Sequence, residues 1–358
     1  MTDTDFQTAA DFLQSLGWSD FFSSQTEEAD PEGLQPLRIA TVHRARLTAI
    51  SPGGVVKITL PPHTNTTDFA VGDWVLADAE THRLHRRLTR KTLLERKIEG
   101  ASAPQLIAAN VDTLFIVSSC NADFNPARLE RYLALANEAG TEPVILLTKA
   151  DTTDEAESYR TKAETLQRGL RAVVLNARAP DAAKILAPWC GPGRTVTLVG
   201  SSGVGKSTLL NTLAGHPYGE AQEEAQETAA IREDDAKGRH TTTARSLHAI
   251  EGGGWVIDTP GIRSLHVSDL TSGIDTLFAE ITELAPLCRF RDCKHISEPG
   301  CAVQAAIKNG TVDPDRFARW QKLRAEDAQS AQPTGYPRNA SAGKKQRTPP
   351  DPLKPHRR

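Results

Sequence analysis

The chain has 358 residues, of which 39% are hydrophobic and 24% charged, and its formal net charge is −3. This length suits more than one domain of ordinary size, and the composition is typical of a soluble globular protein. No apolar run approaches the roughly 20 residues of a membrane-spanning helix, which excludes a helical membrane protein.

The first 37 residues form an acidic leader with eight Asp or Glu and no Lys or Arg. A secretory signal begins with the opposite charge, so we expect a cytoplasmic protein. The leader, residues 1–37, is expected to be flexible, with a short helix near residues 6–16.

Residues 38–100 contain short β-rich runs at 39–42, 55–60 and 74–77, separated by turn residues at 51–54 and 71–73. This pattern predicts a small barrel of the OB-fold type, a common oligonucleotide-binding module; another small β-domain is the alternative. Residues 83–97 carry seven Lys or Arg and one Glu. They favour contact with a polyanion such as RNA, although a solvated surface would look the same.

Residues 110–270 alternate between buried strands and helices. Continuous apolar runs at 113–117 and 144–147 enclose a helical pattern at 128–139, and further strands are predicted at 173–175, 195–199 and 255–257. The pattern predicts a doubly wound α/β domain.

A candidate guanine-reading motif follows the second of these strands and consists of Thr148, Lys149, Ala150 and Asp151. The Asp151 carboxylate can accept hydrogen bonds from the N1–H and 2-amino groups of guanine, a donor pair that adenine lacks. Asn176 and Ala177 end the next strand and suit a backbone contact to guanine O6.

A phosphate loop follows the strand at 195–199. It matches the pattern G-x-x-x-x-G-K-[ST] with Gly200, Ser201, Ser202, Gly203, Val204, Gly205, Lys206 and Ser207, and Thr208 continues into a helical run. Its backbone N–H groups would form an anion nest. Lys206 would bridge the β- and γ-phosphates and Ser207 would bind Mg²⁺, but the loop alone leaves ATP and GTP equally open.

Two further segments are candidates for sensing the γ-phosphate. Residues 238–243 follow an acidic stretch, and a threonine there could complete the Mg²⁺ coordination: Thr242 is our choice and Thr241 the alternative. Asp258 ends a strand and would lie near Mg²⁺, with the Gly261 N–H facing the γ-phosphate. Ile262 stands where many GTPases have a catalytic Gln, so His240 becomes the candidate for orienting water, unless it is only an exposed switch residue.

Cys288, Cys293, His295 and Cys301 lie within fourteen residues. Three thiolates and one imidazole complete a tetrahedral structural Zn²⁺ site with no open position; redox cysteines or buried thiols are the alternative. Cys120 and Cys190 are expected to be ordinary buried thiols. We assign residues 271–328 to a zinc-binding α-helical domain, with a helix at 314–328, and residues 329–358 to a basic disordered tail.

The guanine-reading motif precedes the phosphate loop by about fifty residues, whereas it follows the loop in ordinary GTPases. Residues 38–325 resemble the bacterial ribosome small-subunit-dependent GTPases, the RsgA (YjeQ) family. The features that carry the resemblance are this permuted order, residues 238–242 and the Cys/His segment. Thr148 departs from the more usual Asn of the motif, and the acidic leader is also unusual.

The resemblance implies an OB domain, a permuted GTPase domain and a zinc domain that dock on the 30S subunit and its 16S rRNA. It implies a monomer that acts late in subunit maturation, with GTP hydrolysis stimulated by the subunit and promoting release. The permutation places the switch ahead of the zinc domain, so loss of the γ-phosphate could reorient an RNA-binding module.

Two other functions remain open. In a passive RNA-binding assembly factor, the nucleotide would only stabilise the fold; the intact Lys206, Ser207, Thr242 and Asp258 favour hydrolysis instead. A P-loop kinase of a small metabolite would prefer ATP, which disagrees with Asp151 and with the zinc segment.

Overall fold

This computed structural model describes residues 3–28, 30–96, 103–215, 245–259 and 269–331. The leader forms helices α1 (Asp3–Ser15) and α2 (Asp20–Ser23). We expected a flexible leader, but Leu16 and Phe22 are buried, and the Trp18 ring lies 4.9 Å from the ring of Trp74. The part of the leader around Leu16 and Phe22 is therefore packed. It covers an apolar face of the next domain, around Trp74, that would otherwise be exposed to water.

The next five strands form a small barrel. They are β1 (Leu34–Val42), β2 (Leu47–Ser51), β3 (Gly54–Ile58), β4 (Trp74–Asp78) and β5 (Leu84–Arg87). β1 pairs with β2 and β4, β2 with β3, and β4 with β5, all antiparallel. A parallel bridge between Thr59 and Arg83 joins the end of β3 to the start of β5 and closes the ring in the order β1-β2-β3-β5-β4. Alternate residues point inward, as in β2, and fill the interior.

A hairpin connects the barrel to the rest of the chain. It consists of β6 (Leu93–Arg96) and β7 (Gln105–Ala109), which pair antiparallel. The Ala109 N–H donates to Val71 O at 2.9 Å. Gly72 allows this approach, because a Cβ there would lie 2.2 Å from Ala109 O.

The α/β domain has a six-stranded sheet in the order β10-β9-β8-β11-β13-β12. Its strands are β8 (Thr113–Ser119), β9 (Glu142–Thr148), β10 (Arg171–Val174), β11 (Thr195–Gly200), β12 (Ser246–Ala249) and β13 (Trp255–Asp258); its helices are α3 (Pro126–Glu138), α4 (Ala156–Glu164), α5 (Ala182–Leu186) and α6 (Lys206–Leu213). All pairs are parallel except β12–β13. Apolar clusters cover both faces, which explains the unbroken burial of β8.

The barrel and the α/β sheet are continuous, because β1 also pairs with β12, with Thr41 opposite Ser246. Arg38 on β1 is buried at this junction. Its guanidinium donates to Leu16 O in the leader, to Asn110 O at 3.2 Å and to Thr195 Oγ1 at 2.8 Å. One side chain thus joins the leader, the barrel and the α/β domain.

The C-terminal part is helical, with α7 (Thr271–Leu277), α8 (Ala279–Thr282), α9 (Ala302–Lys308) and α10 (Pro314–Ala331). α10 packs on α3, where the buried Glu130 accepts hydrogen bonds from Arg316 at 3.1 Å and Arg319 at 2.9 Å. Most of the predicted basic tail, residues 332–358, lies outside the described residues. Among the helices of the described ranges, none is long and apolar enough to cross a membrane.

Candidate nucleotide and metal sites

The carboxyl ends of parallel strands meet at one edge of the sheet, which is where open α/β sheets bind ligands. In register, Gly200 on β11 stands beside Val117 on β8, and Ser119 on β8 stands beside Thr148 on β9. Asp258 ends β13 next to β11. The fold thus brings the predicted phosphate loop, the guanine-reading motif and Asp258 to the same edge.

The phosphate loop has the backbone that its glycines permit. Gly203 and Gly205 have φ of 78° and 99°, and a Cβ on Gly200 would lie 2.2 Å from Val117 O. The loop ends where α6 begins at Lys206, whose ammonium donates to Gly200 O at 2.9 Å and also to Ser201 O. Those carbonyls hold the lysine beside the loop. Ser207 and Thr208 follow in the first turn of α6, where free N–H groups favour an anion.

The guanine-reading motif turns sharply after β9. Lys149 has a left-handed φ of 57°, and Ala150–Thr152 form a 3₁₀ turn that the Thr152 hydroxyl closes by donating to Lys149 O at 2.7 Å. The turn leaves Asp151 exposed at the sheet edge. A carboxylate in that position is open to hydrogen-bond donors of a base.

The loop with Asn176 and Ala177 is fixed from two sides. The Asn176 side chain accepts from the backbone N–H of Arg178 at 2.9 Å, and Ala177 O accepts from the Thr212 hydroxyl of α6 at 3.0 Å. The helix that follows the phosphate loop therefore also supports this segment. We did not predict the role of Thr212, because its spacing along the chain carries no signal for this contact.

Asp258 and its neighbour complete the described part of this edge. The Thr259 hydroxyl donates to Leu198 O of β11 at 3.3 Å, which holds the chain close to the strand that leads into the phosphate loop. His240, Thr241, Thr242 and Gly261 lie outside the described residues. Their predicted roles in switching and hydrolysis stay predictions.

The four predicted zinc ligands form one cluster, with their ligand atoms all within 4.8 Å of one another. Cys288 Sγ lies 3.4 Å from His295 Nδ1 and 3.8 Å from Cys301 Sγ, and His295 Nδ1 lies 3.4 Å from Cys301 Sγ. Zn–S bonds of about 2.3 Å in a tetrahedron place two sulfurs about 3.8 Å apart. The donor set therefore fits Zn²⁺ in both chemistry and spacing.

Two further residues hold the zinc loop in shape. The Glu298 carboxylate accepts from the backbone N–H groups of Lys294 at 2.8 Å and Ile296 at 2.9 Å, and these bonds lower the pKa of Glu298 to about 2. The Gln304 amide donates to His295 O at 2.7 Å. We missed both roles; the position of Glu298 between two ligands was the available signal.

Cys120 and Cys190 are buried thiols away from this cluster, as predicted. Burial raises the pKa of both thiols and brings that of Cys190 to about 12. The thiol form therefore dominates at neutral pH, and neither group is an activated nucleophile.

The basic segment of the barrel is only partly available to a ligand. Arg86 pairs with Asp30 at 2.6 Å and Arg90 with the buried Asp73 at 2.7 Å, so part of the predicted positive charge is neutralised internally. Arg83 and Arg87 are exposed. These two residues are the better candidates for contact with a polyanion.

Comparison with known proteins agrees with this geometry. The family model described as RsgA GTPase matches residues 87–268. A model of the ABC transporter family also matches residues 189–348, a span that includes the phosphate loop, which many nucleotide hydrolases share.

Several curated proteins are similar over most of the chain. The small ribosomal subunit biogenesis GTPase RsgA of Mesorhizobium japonicum is 65% identical over 330 residues, covering 92% of this chain and 94% of that protein. The small ribosomal subunit biogenesis GTPase RsgA 2 of Vibrio vulnificus is 49% identical over 328 residues, covering 91% of each.

Two solved structures have a similar fold. YjeQ from Thermotoga maritima aligns with a TM-score of 0.60 and 25% identity, covering 82% of this chain and 98% of that one. YloQ, described as a circularly permuted GTPase, aligns with a TM-score of 0.59 over 86% of this chain and all of its own, at 21% identity. Both similarities support a permuted α/β fold.

Proposed function

Because the chain belongs to the RsgA GTPase family, whose members hydrolyse GTP, we propose that it is a GTPase acting in biogenesis of the small ribosomal subunit. The observation that carries this proposal is the meeting of three motifs at one sheet edge. The phosphate loop, the guanine-reading motif and Asp258 lie at the carboxyl ends of β11, β9 and β13 in one sheet, although the order of the motifs in the sequence is permuted.

The roles at the nucleotide site follow from this placement. Asp151 accepts from guanine, Lys149 lies along the base, and the segment of Asn176 and Ala177 offers a backbone N–H to guanine O6. The N–H groups of residues 200–208 and the ammonium of Lys206 bind the phosphates. The open carboxylate of Asp151 supports guanine over adenine, because adenine lacks the donor pair.

Hydrolysis uses residues on both sides of the phosphate loop. Ser207, Asp258 and Thr242 would hold Mg²⁺, which neutralises charge on the transferred phosphoryl group. The Gly261 N–H senses the γ-phosphate and His240 orients the attacking water. Without a catalytic Gln the intrinsic rate of GTP hydrolysis is low, and binding to the 30S subunit raises this rate.

The barrel is the proposed rRNA-binding module. Its strand order, closed by a parallel pairing between the end of β3 and β5, supports an OB-fold. The exposed Arg83 and Arg87 on this barrel provide charge for RNA phosphates. Cys288, Cys293, His295 and Cys301 would hold one structural Zn²⁺, which would fix the fold of the loop that carries them.

The proposed cycle takes place in the cytoplasm on the 30S subunit. The GTP-bound monomer binds the nearly mature subunit through 16S rRNA, hydrolyses GTP to GDP and phosphate, and leaves. In the sequence, α7 begins thirteen residues after Asp258 and the four zinc ligands follow it, so a switch that responds to the nucleotide state leads directly into the zinc-binding domain.

GTP and ATP hydrolysis by the zinc-loaded protein, alone and with 30S subunits, tests the proposal, with a His240→Ala variant beside it. We expect GTP-selective turnover that rises by orders of magnitude with subunits and is lost in the variant. Turnover indifferent to subunits, or equal for ATP, would contradict the ribosomal role. A fully active His240→Ala protein would remove only the role of His240.

A further inference from the structure

The leader contacts the barrel in two different ways. Residues 12–22 pack through apolar side chains on the face of the barrel around Trp74. Residues 25–30, which follow, are held by hydrogen bonds and an ion pair instead. We call residues 25–30 the acidic segment, because they include three carboxylates and no Lys or Arg: Glu27, Glu28 and Asp30.

Asp30 binds the barrel at β5. Its carboxylate accepts from the Arg86 guanidinium through both oxygens, at 3.0 Å from Nε and 2.6 Å from Nη2. The same Nη2 donates to Gln25 O at 2.6 Å, and His85 Nε2 lies 3.6 Å from the Asp30 carboxylate. Arg86 stands opposite Leu76 of β4, which belongs to the face that the leader covers. The acidic segment therefore takes up the hydrogen-bonding capacity of Arg86 on that face.

Gln25 fixes the acidic segment at a second point. Its side-chain carbonyl accepts from Thr89 N–H at 2.6 Å, and its amide donates to Thr89 O at 3.3 Å. One side chain thus occupies both backbone polar groups of Thr89. Both points of attachment lie within the basic stretch at residues 83–97, which we propose as a contact for RNA.

Another anion can replace Asp30 at this position. The side chains of Arg86 and Asp30 are 28% and 13% exposed, and ion pairs in contact with water contribute little to stability. The planar guanidinium binds a phosphate with the same two-bond geometry as a carboxylate. One RNA phosphate can therefore take the place of the Asp30 carboxylate, and the exposed Arg83 and Arg87 of the same stretch provide further charge for it.

We propose that the acidic segment is an autoinhibitory contact that occupies Arg86 in the free protein and is displaced when RNA phosphates bind there. The apolar packing of residues 12–22 keeps the leader on the barrel, so the displaced segment stays close and competes with RNA as an intramolecular ligand. A polyanion that also engages Arg83 and Arg87 displaces it, which sets a threshold for RNA binding. The inference deepens the proposed role of the barrel in RNA binding and rests on it.

The test compares the affinity of the full-length, zinc-loaded protein for deproteinised 16S rRNA with that of Asp30→Asn, by filter binding at one salt concentration. We expect Asp30→Asn to bind about three- to fivefold more tightly, because the competing carboxylate is gone. Glu28→Gln is the matched control, since it removes the same charge from an exposed position two residues away. Its affinity should rise by a smaller factor.

A double-mutant cycle separates the contact from a general effect of charge. In an Arg86→Gln background, Asp30→Asn should give no gain in affinity, because no guanidinium is left to uncover. A gain of the same size in both backgrounds would overturn the inference, and so would an equal gain from Glu28→Gln. If Asp30→Asn does not fold, Gln25→Ala, which removes the contact with Thr89, replaces it under the same criteria.

Hydrogen exchange followed by mass spectrometry reports on the displacement itself. On addition of 16S rRNA to the wild-type protein, the backbone amides of residues 25–30 should exchange faster, because the acidic segment leaves β5. Those of residues 12–22 should keep their rate, because the apolar packing on Trp74 persists. Unchanged or slower exchange in residues 25–30 would contradict displacement.

The proposed function and this inference can fail separately. A wild-type protein that does not bind 16S rRNA would defeat both the RNA-binding role of the barrel and the autoinhibitory contact. A wild-type protein that binds 16S rRNA, together with an Asp30→Asn variant that binds it no more tightly than Glu28→Gln, would defeat only the autoinhibitory contact.

Discussion

At the scale of residues, most of the chemistry lies in side chains whose types and spacing were readable in advance. Cys288 and Cys301 are thirteen positions apart in the sequence and have sulfurs 3.8 Å apart in the structure, as a shared metal requires. The role of Glu298 was missed: its position between two ligands was the one signal in the sequence, and its bonds go to backbone N–H groups, which carry no sequence pattern. Side-chain identity predicts ligands better than it predicts the groups that hold them.

The Asp30–Arg86 pair gives a pH-dependent prediction. The hydrogen bond from Arg86 lowers the pKa of Asp30 from its ordinary value of 3.8 to about 2. A carboxyl with a depressed folded-state pKa stabilises the fold above its unfolded pKa, and this stabilisation is lost as pH falls through the folded pKa. We expect Asp30→Asn to be less stable than wild type at pH 7, with the difference disappearing between about pH 4 and pH 2.

Denaturant unfolding followed at several pH values would measure this effect. Asp154→Asn, which changes an exposed carboxyl of the α/β domain, is the matched control. If the difference in free energy of unfolding between Asp30→Asn and wild type stayed constant down to pH 2, protonation of Asp30 would have no effect on stability.

Glu298 provides a second prediction at this scale. Its carboxylate orders the backbone between Cys293 and Cys301, so Glu298→Gln, which removes the charge, should release Zn²⁺ more readily. Groups that orient metal ligands typically change metal affinity by about 10- to 100-fold. Competition against a chelating dye would measure it, with Asp292→Asn, an exposed carboxyl of the same loop, as control. Equal zinc retention by both variants would contradict the role of Glu298.

At the scale of elements, periodicity located the strands because buried parallel strands are continuous apolar runs. The run predicted at 113–117 forms the first five residues of β8, which is buried along its whole length. The helix predicted at 314–328 is observed as Pro314–Ala331. Boundaries differed by a few residues because helix and strand ends are set by caps and neighbours rather than by the repeat.

The contact between α7 and α3 depends on a glycine that the pattern did not single out. A Cβ at Gly273 would lie 2.1 Å from Ala134 O of α3, and Gly273 N–H donates to the Glu138 carboxylate at 2.7 Å. We expect Gly273→Ala to push the helices apart and to destabilise the protein by about 1–3 kcal/mol. Thermal unfolding would show this beside Ser272→Ala, an exposed neighbour on the same helix. Unchanged stability would mean that the two helices can separate without loss.

At the scale of the whole molecule, Arg38 is the residue with the widest reach. Burial lowers the pKa of Arg38 to about 10, which leaves its guanidinium charged at neutral pH. Its partners belong to two parts of the chain other than its own barrel: Leu16 of the leader, and Asn110 and Thr195 of the α/β domain. No local sequence pattern distinguishes Arg38, because an arginine directly before the predicted strand at 39–42 is expected to be an exposed surface charge.

Replacing Arg38 by Met should therefore weaken the junction rather than the barrel alone. Methionine fills a similar space but leaves buried carbonyls without donors. We expect this to lower the free energy of unfolding by about 2–4 kcal/mol. We expect a lower unfolding midpoint and faster proteolysis of the leader. Arg46→Met, which changes an exposed arginine of the same barrel, is the control. An Arg38→Met protein as stable as this control would contradict the three-way junction.

The sequence by itself determined the motifs, the chemistry of their side chains, the permuted order and the approximate positions of strands and helices. These features depend on residue type and on short spacings, which act through local geometry. The tertiary structure alone decided that the leader packs on Trp74, that β1 joins β12, and that Thr148 faces Val204. Such contacts join residues far apart in the chain, and they form only where two buried surfaces match in shape and in hydrogen-bonding groups.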